Sequence, residues 1–396
     1  MQVIDLLHFA QHEPYFMLCQ HGPQQYTAGL GLYDCISSEA GWEKVDAFIE
    51  QYKGYYIFSH ICYDVKNDFE KLVSENESIS GFSDAFFWVP AVTIVSAGNN
   101  YHFAPGMEHY LNKIQQAPLL PVENAITWNN NNHPYTATFT ALQKHLQAGN
   151  IYEINYCLPF TANGIINTVT TYKKLYELTQ APMACYYRNK QQFLLCGSPE
   201  RFLKKTGRKL LSQPIKGTAE RATDSATDMA LKQALLLNEK ERSENIMIVD
   251  LVRNDLSRIA LTGSVKVNEL CGAYTFKTVH HLISTIECQI PEMPFSQILA
   301  ATFPMGSMTG APKIKAMQLI EQYESAKRGL FSGAVGFFEP NGNFDFNVVI
   351  RSILFDASQN KIATWAGSAI TISAQAQAEY EECLLKLKAI KATLSA

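Results

Sequence analysis

Residues 191–217, "QQFLLCGSPERFLKKTGRKLLSQPIKG", constrain the fold more than any other stretch. Apolar runs alternate with turn signals at Gly197–Pro199 and Thr206–Gly207, which predicts three strands joined by turns. Such turns leave no room for a helical crossover, so neighbouring strands must run antiparallel. A second meander follows over 328–367, with Asn341-Gly342 as a hairpin signal. Long amphipathic stretches separate these clusters. Strand clusters interrupted by helices predict an α+β fold rather than alternating βα units.

The helix predicted over "YTATFTALQKHLQAGN" stops near Gly149, and "IYEINYCLPF" reads as a strand. Residues 115–134 hold three prolines and four consecutive Asn, the composition of a linker. The expected organisation is an N-terminal subdomain over 1–114, a linker over 115–134 and a catalytic domain over 135–396.

A net charge of -4 offers no basic surface for nucleic acid. No apolar run reaches the roughly 18 residues of a membrane helix, and the first residues lack a signal-peptide pattern. The nine cysteines are scattered without a CxxC pair, which suits free thiols in a reducing cytoplasm. GxxxxGK[ST] and GxGxxG are both absent, so the usual nucleotide-binding folds lose their support.

The stretch "NEKERSENIMIVDLVRNDLSRIA" predicts a helix with Ile248, Val252, Leu256 and Ile259 on one stripe. Glu241 and Glu244 extend that stripe by a turn. The last helix repeats the arrangement, with Glu379 and Glu382 on the face of Lys386 and Ile390. Inward carboxylates are costly unless paired or bound to metal. Two such pairs suit Mg²⁺, a hard cation that takes one or two carboxylates and keeps waters; solvated Glu–Lys pairs are the plainer alternative. In "FPMGSMTGAPKIKAMQLIEQ" a glycine-rich turn precedes Pro312, expected at the first helical position. The N–H groups of Thr309, Gly310 and Ala311, with Lys313 beside them, could hold an anion; an ordinary capped helix is the alternative. Arg351, inside the apolar strand expected from "NVVIRSI", calls for a carboxylate partner. Lys216, between Pro214 and Gly217, is either a solvated turn lysine or a placed one.

The motifs "GSPERFL", "PIKGTAER", "ENIMIVDLVRNDLSRI", "TVHHLIST", "GSMTGAPKIKAMQLIE", "GAVGFF", "IRSI", "WAGSAIT" and "EYEECLLKLKAI" occur in this order. In that, the chain resembles the chorismate-utilising enzymes over roughly 135–396. The family includes anthranilate and aminodeoxychorismate synthase large subunits and the isochorismate and salicylate synthases. The resemblance implies two large antiparallel sheets packed as a sandwich core flanked by helices, Mg²⁺ as cofactor and chorismate as substrate. It implies Glu244 and Glu382 as Mg²⁺ ligands, with Glu241 and Glu379 in support. It also implies Glu200 as general acid and His281 beside the ring chemistry. Thr218, Thr309, Gly310, Ala311, Arg351, Gly367, Ser368 and Lys386 are the expected substrate-binding residues.

Within the family, "PIKGT" marks the branch that aminates chorismate at C4, where the lysine is a covalent nucleophile; alanine is usual at that place in anthranilate and isochorismate synthases. Two successive allylic displacements retain configuration where a direct one would invert it. The role asks that Lys216 fall from about 10.4 toward about 7–8, and that Glu200 be raised enough to stay protonated. Glu153 stands where isochorismate and salicylate synthases carry a water-activating lysine. Phe337 replaces a tyrosine usual in the family. No glutaminase nucleophile elbow is visible, and the chain ends after the ExxE helix. These features lead us to expect ammonia from a separate glutaminase subunit and no fused lyase. Anthranilate synthase chemistry is the alternative.

Overall fold

The computed structural model describes residues 3–22, 25–96, 100–110, 124–129 and 134–395. Its two sheets are antiparallel throughout, of eleven and ten strands among the described residues. The α+β expectation therefore stands. Strands Tyr15–Gly22, Gln25–Leu30, Val92–Val95 and Asn100–Phe103, from the expected N-terminal unit, extend the first sheet. Asp34–Ser37, Ile57–Ile61 and Ala85–Val89 extend the second. Most of the expected linker lies outside the described residues, but its Ala125–Trp128 portion pairs with the strand Glu153–Ile165.

The sheets pack through rings that cross between them, Tyr15 on Trp88 and His60 on Tyr187, and Phe331, from the turn before Ala334–Phe338, stacks on Trp365. Gly29 permits the close approach, because a Cβ there would lie 2.6 Å from the Phe58 ring. The far side of the first sheet is covered by Tyr135–Gln147, Thr168–Thr179, Lys313–Tyr323 and Ala376–Leu394, whose Leu142, Leu175, Leu319 and Leu387 share one buried cluster. Glu239–Ser257 packs on the second sheet through Ile248, Val252 and Leu256, the stripe predicted from sequence. No helix among the described residues is long and apolar enough to cross a membrane.

The predicted meander holds, and the strand Ile215–Glu220 continues it. It also changes sheet. Gln192–Cys196 belongs to the first sheet and Arg201–Thr206 to the second, so residues 197–200 form a crossover. The second meander crosses back between Phe344–Asn347 and Ser352–Asp356. The two crossovers are tied together by Gly197 N–H to Arg351 O at 3.1 Å and Val348 N–H to Glu200 O at 3.0 Å.

Candidate active site

Glu200 and Arg351 both sit on these crossovers, where the chain leaves one sheet for the other. Arg351 thus lies outside the strand expected for it, in the left-handed region at φ 50°. A non-glycine residue there is uncommon and turns its side chain away from the pleat. Its guanidinium is buried, and Nη2 donates to His281 Nε2 at 3.3 Å. A guanidinium can only donate, so His281 accepts at Nε2 and carries its proton on Nδ1. That nitrogen faces Thr218 Oγ1 at 2.9 Å and Gly217 O at 3.3 Å. Burial, then Arg351, push the imidazole down to about 3, so His281 is neutral at any working pH. Its neighbour His280 points to the other face, toward Asp228 at 3.0 Å. No carboxylate salt-bridges Arg351 among the described residues.

Glu200 is enclosed in protein. Burial pushes its carboxyl up to about 7, against the opposing pull of a Ser307 hydroxyl that donates at 2.6 Å. This matches the raised acid expected from sequence. A cavity of about 20 Å³ lies beside it, lined among others by Ser212, Pro214, Asp255 and Ser307. That is room for about one water.

Lys216 sits in a β-bulge. Ile215 is opposite Ile283 and Thr218 opposite His281, so Lys216 and Gly217 together face the single residue Leu282. A bulge re-aims a side chain out of the pleat. Gly217 is required at φ 101°, where a Cβ would crowd Leu282 at 3.1 Å and Glu241 at 3.2 Å. Asn245, from the Glu239–Ser257 helix, fixes the bulge by donating to the Lys216 carbonyl at 3.1 Å. The ammonium of Lys216 donates to Glu153 Oε1 at 2.8 Å. Burial works to lower the lysine, but Glu153, then Glu244 and Glu382, outweigh it and hold the lysine above its ordinary value. The depressed lysine expected from sequence is therefore not what the resting site presents. The cause is Glu153, a residue for which the strand pattern alone suggests no role.

The four ExxE carboxylates share this neighbourhood. Glu244 is buried and Oε1 accepts no hydrogen bond, with Lys240 Nζ 3.8 Å away. Burial pushes it up to about 7 despite Lys216, with Glu153 adding like-charge repulsion. Burial and Glu382 raise Glu241 as well. Burial would also raise Glu382, but Lys386 at 2.6 Å overrides it and keeps that carboxyl low. Glu379 takes Lys240 at 3.2 Å. No three acidic, histidine or cysteine side chains converge on one point among the described residues. A magnesium ion asks for less, since one or two carboxylates suffice when water and substrate supply the rest. An ionisable oxygen stranded without a donor is the mark of a site that wants a cation, so Glu244 and its neighbours fit the group.

The glycine-rich turn departs from expectation. Thr309 spends its N–H on Gly306 O at 3.1 Å, and its hydroxyl faces Met305 O at 3.2 Å. Gly310 and Ala311 form a short strand against Ile154 and Glu153. Gly310 is needed there, since a Cβ would meet Glu153 O at 2.2 Å. Pro312 caps the helix and does not begin it. Lys313 is tied to Asp255 and to the carbonyls of Thr302 and Pro304, so its charge is spent inside the protein. Lys386 donates to Gly367 O at 2.8 Å, which joins those two expected residues. The Ser368 hydroxyl lies 3.1 Å from Tyr135, on the helix-covered face.

Asn245 and Ser307 complete the constellation and were missed as site residues; Glu153, noted from sequence only as standing where relatives carry a base lysine, joins them as the partner of Lys216. Asn245 sits beside Ile248 and Val249 on the helix's buried face, a signal open to the periodicity argument. Ser307 carries no local signal, because its partner Glu200 is 107 residues away.

A family profile described as chorismate binding enzyme matches residues 13–392. Aminodeoxychorismate synthase component 1 of Escherichia coli (strain K12) is 37% identical over 266 residues, 66% of this chain and 58% of that protein. The protein of that name in Bacillus subtilis (strain 168) is 34% identical over 254 residues, 64% of this chain and 54% of its own. The chain thus spans little more than half the length of these relatives. Among solved structures, MenF, the menaquinone-specific isochorismate synthase of Escherichia coli, superposes with a TM-score of 0.84 at 16% identity, over 100% of this chain and 92% of that one. Anthranilate synthase component I of Streptococcus pneumoniae TIGR4 gives 0.76 at 22%, over 96% and 90%. At such identities the likeness establishes the fold.

Proposed function

Because the chain belongs to the family of chorismate binding enzymes, we propose that it replaces the C4 hydroxyl of chorismate with an amine, giving 4-amino-4-deoxychorismate. Relatives named aminodeoxychorismate synthase component 1 support that branch. The observation that carries it is Lys216, turned by its bulge toward Glu153 and the ExxE carboxylates, in the electrostatic reach of Glu200.

The Lys216 amine attacks C2 of the ring, the two conjugated ring double bonds shift, and the C4–oxygen bond breaks. Glu200, neutral below about 7, gives its proton to the departing hydroxyl. Ammonia then adds at C4, both double bonds return to their places and the lysine leaves. Arg351, buried without a carboxylate partner, receives a substrate carboxylate, and neutral His281 holds the guanidinium in place. Glu244 and Glu382, supported by Glu241 and Glu379, would hold Mg²⁺, which when bound supplies positive charge for the substrate's other carboxylate. The word "component" in the relatives' names accords with a second subunit, a glutaminase that supplies ammonia.

The test is product identity. Purified chain, chorismate, Mg²⁺ and an ammonium salt should give a 4-amino product by mass spectrometry, converted to 4-aminobenzoate only when an aminodeoxychorismate lyase is added. Fluorescent anthranilate without lyase would instead place the chain with anthranilate synthases.

A further inference from the structure

The resting Lys216 is an ammonium, and an ammonium has no lone pair with which to attack carbon. Something must take its proton inside the closed site. Among the described residues, the one hydrogen-bond acceptor of Nζ is Glu153 Oε1, at 2.8 Å. We propose that Glu153 is the base that removes the Lys216 proton, stores it while lysine is bound to the substrate, and returns it when lysine departs. This rests on the function proposed above.

Three observations support the transfer. The Glu153 side chain is only 1% exposed, so its charge has little help from solvent. Its second oxygen, Oε2, is buried with no hydrogen-bond partner. Its ion-pair partner is Lys216, at 2.8 Å. A buried carboxylate in this state is stable only while the ammonium is beside it. Once Nζ gives up a proton to become the neutral amine that attacks, an ionised Glu153 would be left as an unpaired buried anion. Protonation removes that cost. The pair therefore favours the ammonium at rest and accepts its proton as carbon–nitrogen bond formation proceeds. The other charged groups that face the pair are Glu244, Glu241 and Glu200, together with Glu382 from the last helix, while Lys240 and Lys386 act on Glu241 and Glu382 in turn.

The balance closes. In the first half, one Nζ proton passes to Glu153 Oε1, the Nζ lone pair forms the bond to C2 to give a secondary ammonium, and the C4 hydroxyl leaves as water with the Glu200 proton. In the second half, ammonia bonds to C4 and gives a proton back to Glu200. The bond from C2 to Nζ breaks, and Nζ recovers its proton from Glu153. Chorismate and ammonia become 4-amino-4-deoxychorismate and water, and both carboxyls end as they began.

The strand position makes the residue easy to replace without unfolding, since the backbone of Glu153 pairs with Ala311 whatever its side chain. The experiment follows the Lys216–substrate adduct by intact mass in single turnovers with chorismate and Mg²⁺ but no ammonia. It compares wild type, Glu153→Gln and Glu153→Asp. The expected result is adduct formation about 10²–10⁴-fold slower in Glu153→Gln at pH 7.5, the usual worth of a general base. Glu153→Asp, which keeps a carboxylate, should recover part of the rate. Chorismate binding, read by fluorescence titration, should stay within about threefold. Adduct formation in Glu153→Gln at the wild-type rate or faster would overturn the proposal and leave Glu153 as a mere ion-pair partner. Amino product from wild type with no adduct at any time would remove the lysine nucleophile itself, and this base with it.

Discussion

Two buried ion pairs touch the same strand, Glu153–Ile165, and they are built on opposite lines. Arg328 and Glu324 are saturated. Nε and Nη2 of Arg328 reach both oxygens of Glu324, Nη2 also reaches Asn155 O, and Nη1 reaches Met308 O and Ser332 Oγ. Glu324 takes the Cys157 N–H at 2.8 Å, and the guanidinium lies 4.6 Å from the centre of the Tyr63 ring. Lys216 and Glu153 share one bond, and an oxygen is left over. A saturated pair is a fixed joint, because each proton has an assigned place. A pair with spare capacity can change its protonation state, which chemistry requires and architecture does not.

The sharpest way to break that contrast is to remove the cation from each pair. Lys216→Met should reduce 4-amino product to background, yet cost only about 1.5–3 kcal/mol of stability, because Glu153, held by one bond, can take up a proton in place of its lost partner. Substantial product from this variant would put Lys216 on the architectural side. Next in size is Glu200→Gln, expected to slow turnover about 10²–10⁴-fold. Its carboxyl is raised to about 7, so the acid form prevails below that pH and is lost above it. Wild-type kcat/KM should fall about tenfold per unit above about 7, and the Gln variant should lack this limb; a limb that persists in the variant belongs to another group. Arg328→Met should lower unfolding stability in denaturant by about 3–5 kcal/mol, because Glu324 is left charged and buried. A loss below that of Lys216→Met would erase the distinction between the pairs. The smallest effect is expected from Ser307→Ala. The hydroxyl favours the ionised form of Glu200, so its removal should move the descending limb upward by less than about one unit. A downward move would mean that Ser307 favours the neutral acid.

The same division explains what could be read from sequence. The ExxE helices were legible because a 3.6-residue period is local: Glu244 falls on the stripe of Ile248 and Val252 with no knowledge of the rest of the chain. Arg351 and Lys216 stood out locally, as an arginine in an apolar run and a lysine between Pro214 and Gly217, but Glu200 was legible only through its motif. The bulge that turns Lys216 exists only against Leu282, and turn signals do not reveal which of them switch sheets. Lys313 was misassigned to an anion site because Asp255, which consumes its charge, lies 58 residues upstream. The ionisation of Lys216 was misjudged for the same reason, since Glu153 is 63 residues away.

The paired crossovers set a clock for the whole molecule. Glu200 and Arg351 reach each other's surroundings only after 197–200 and 348–351 have docked, and each crossover joins strands that belong to different sheets. Contacts so distant along the chain form late, since ring closure must come before the contact repays it. No partly folded chain carries a working fragment of the site. Recovery of turnover during refolding therefore reports the completed sandwich, and should trail the return of strand and helix signals.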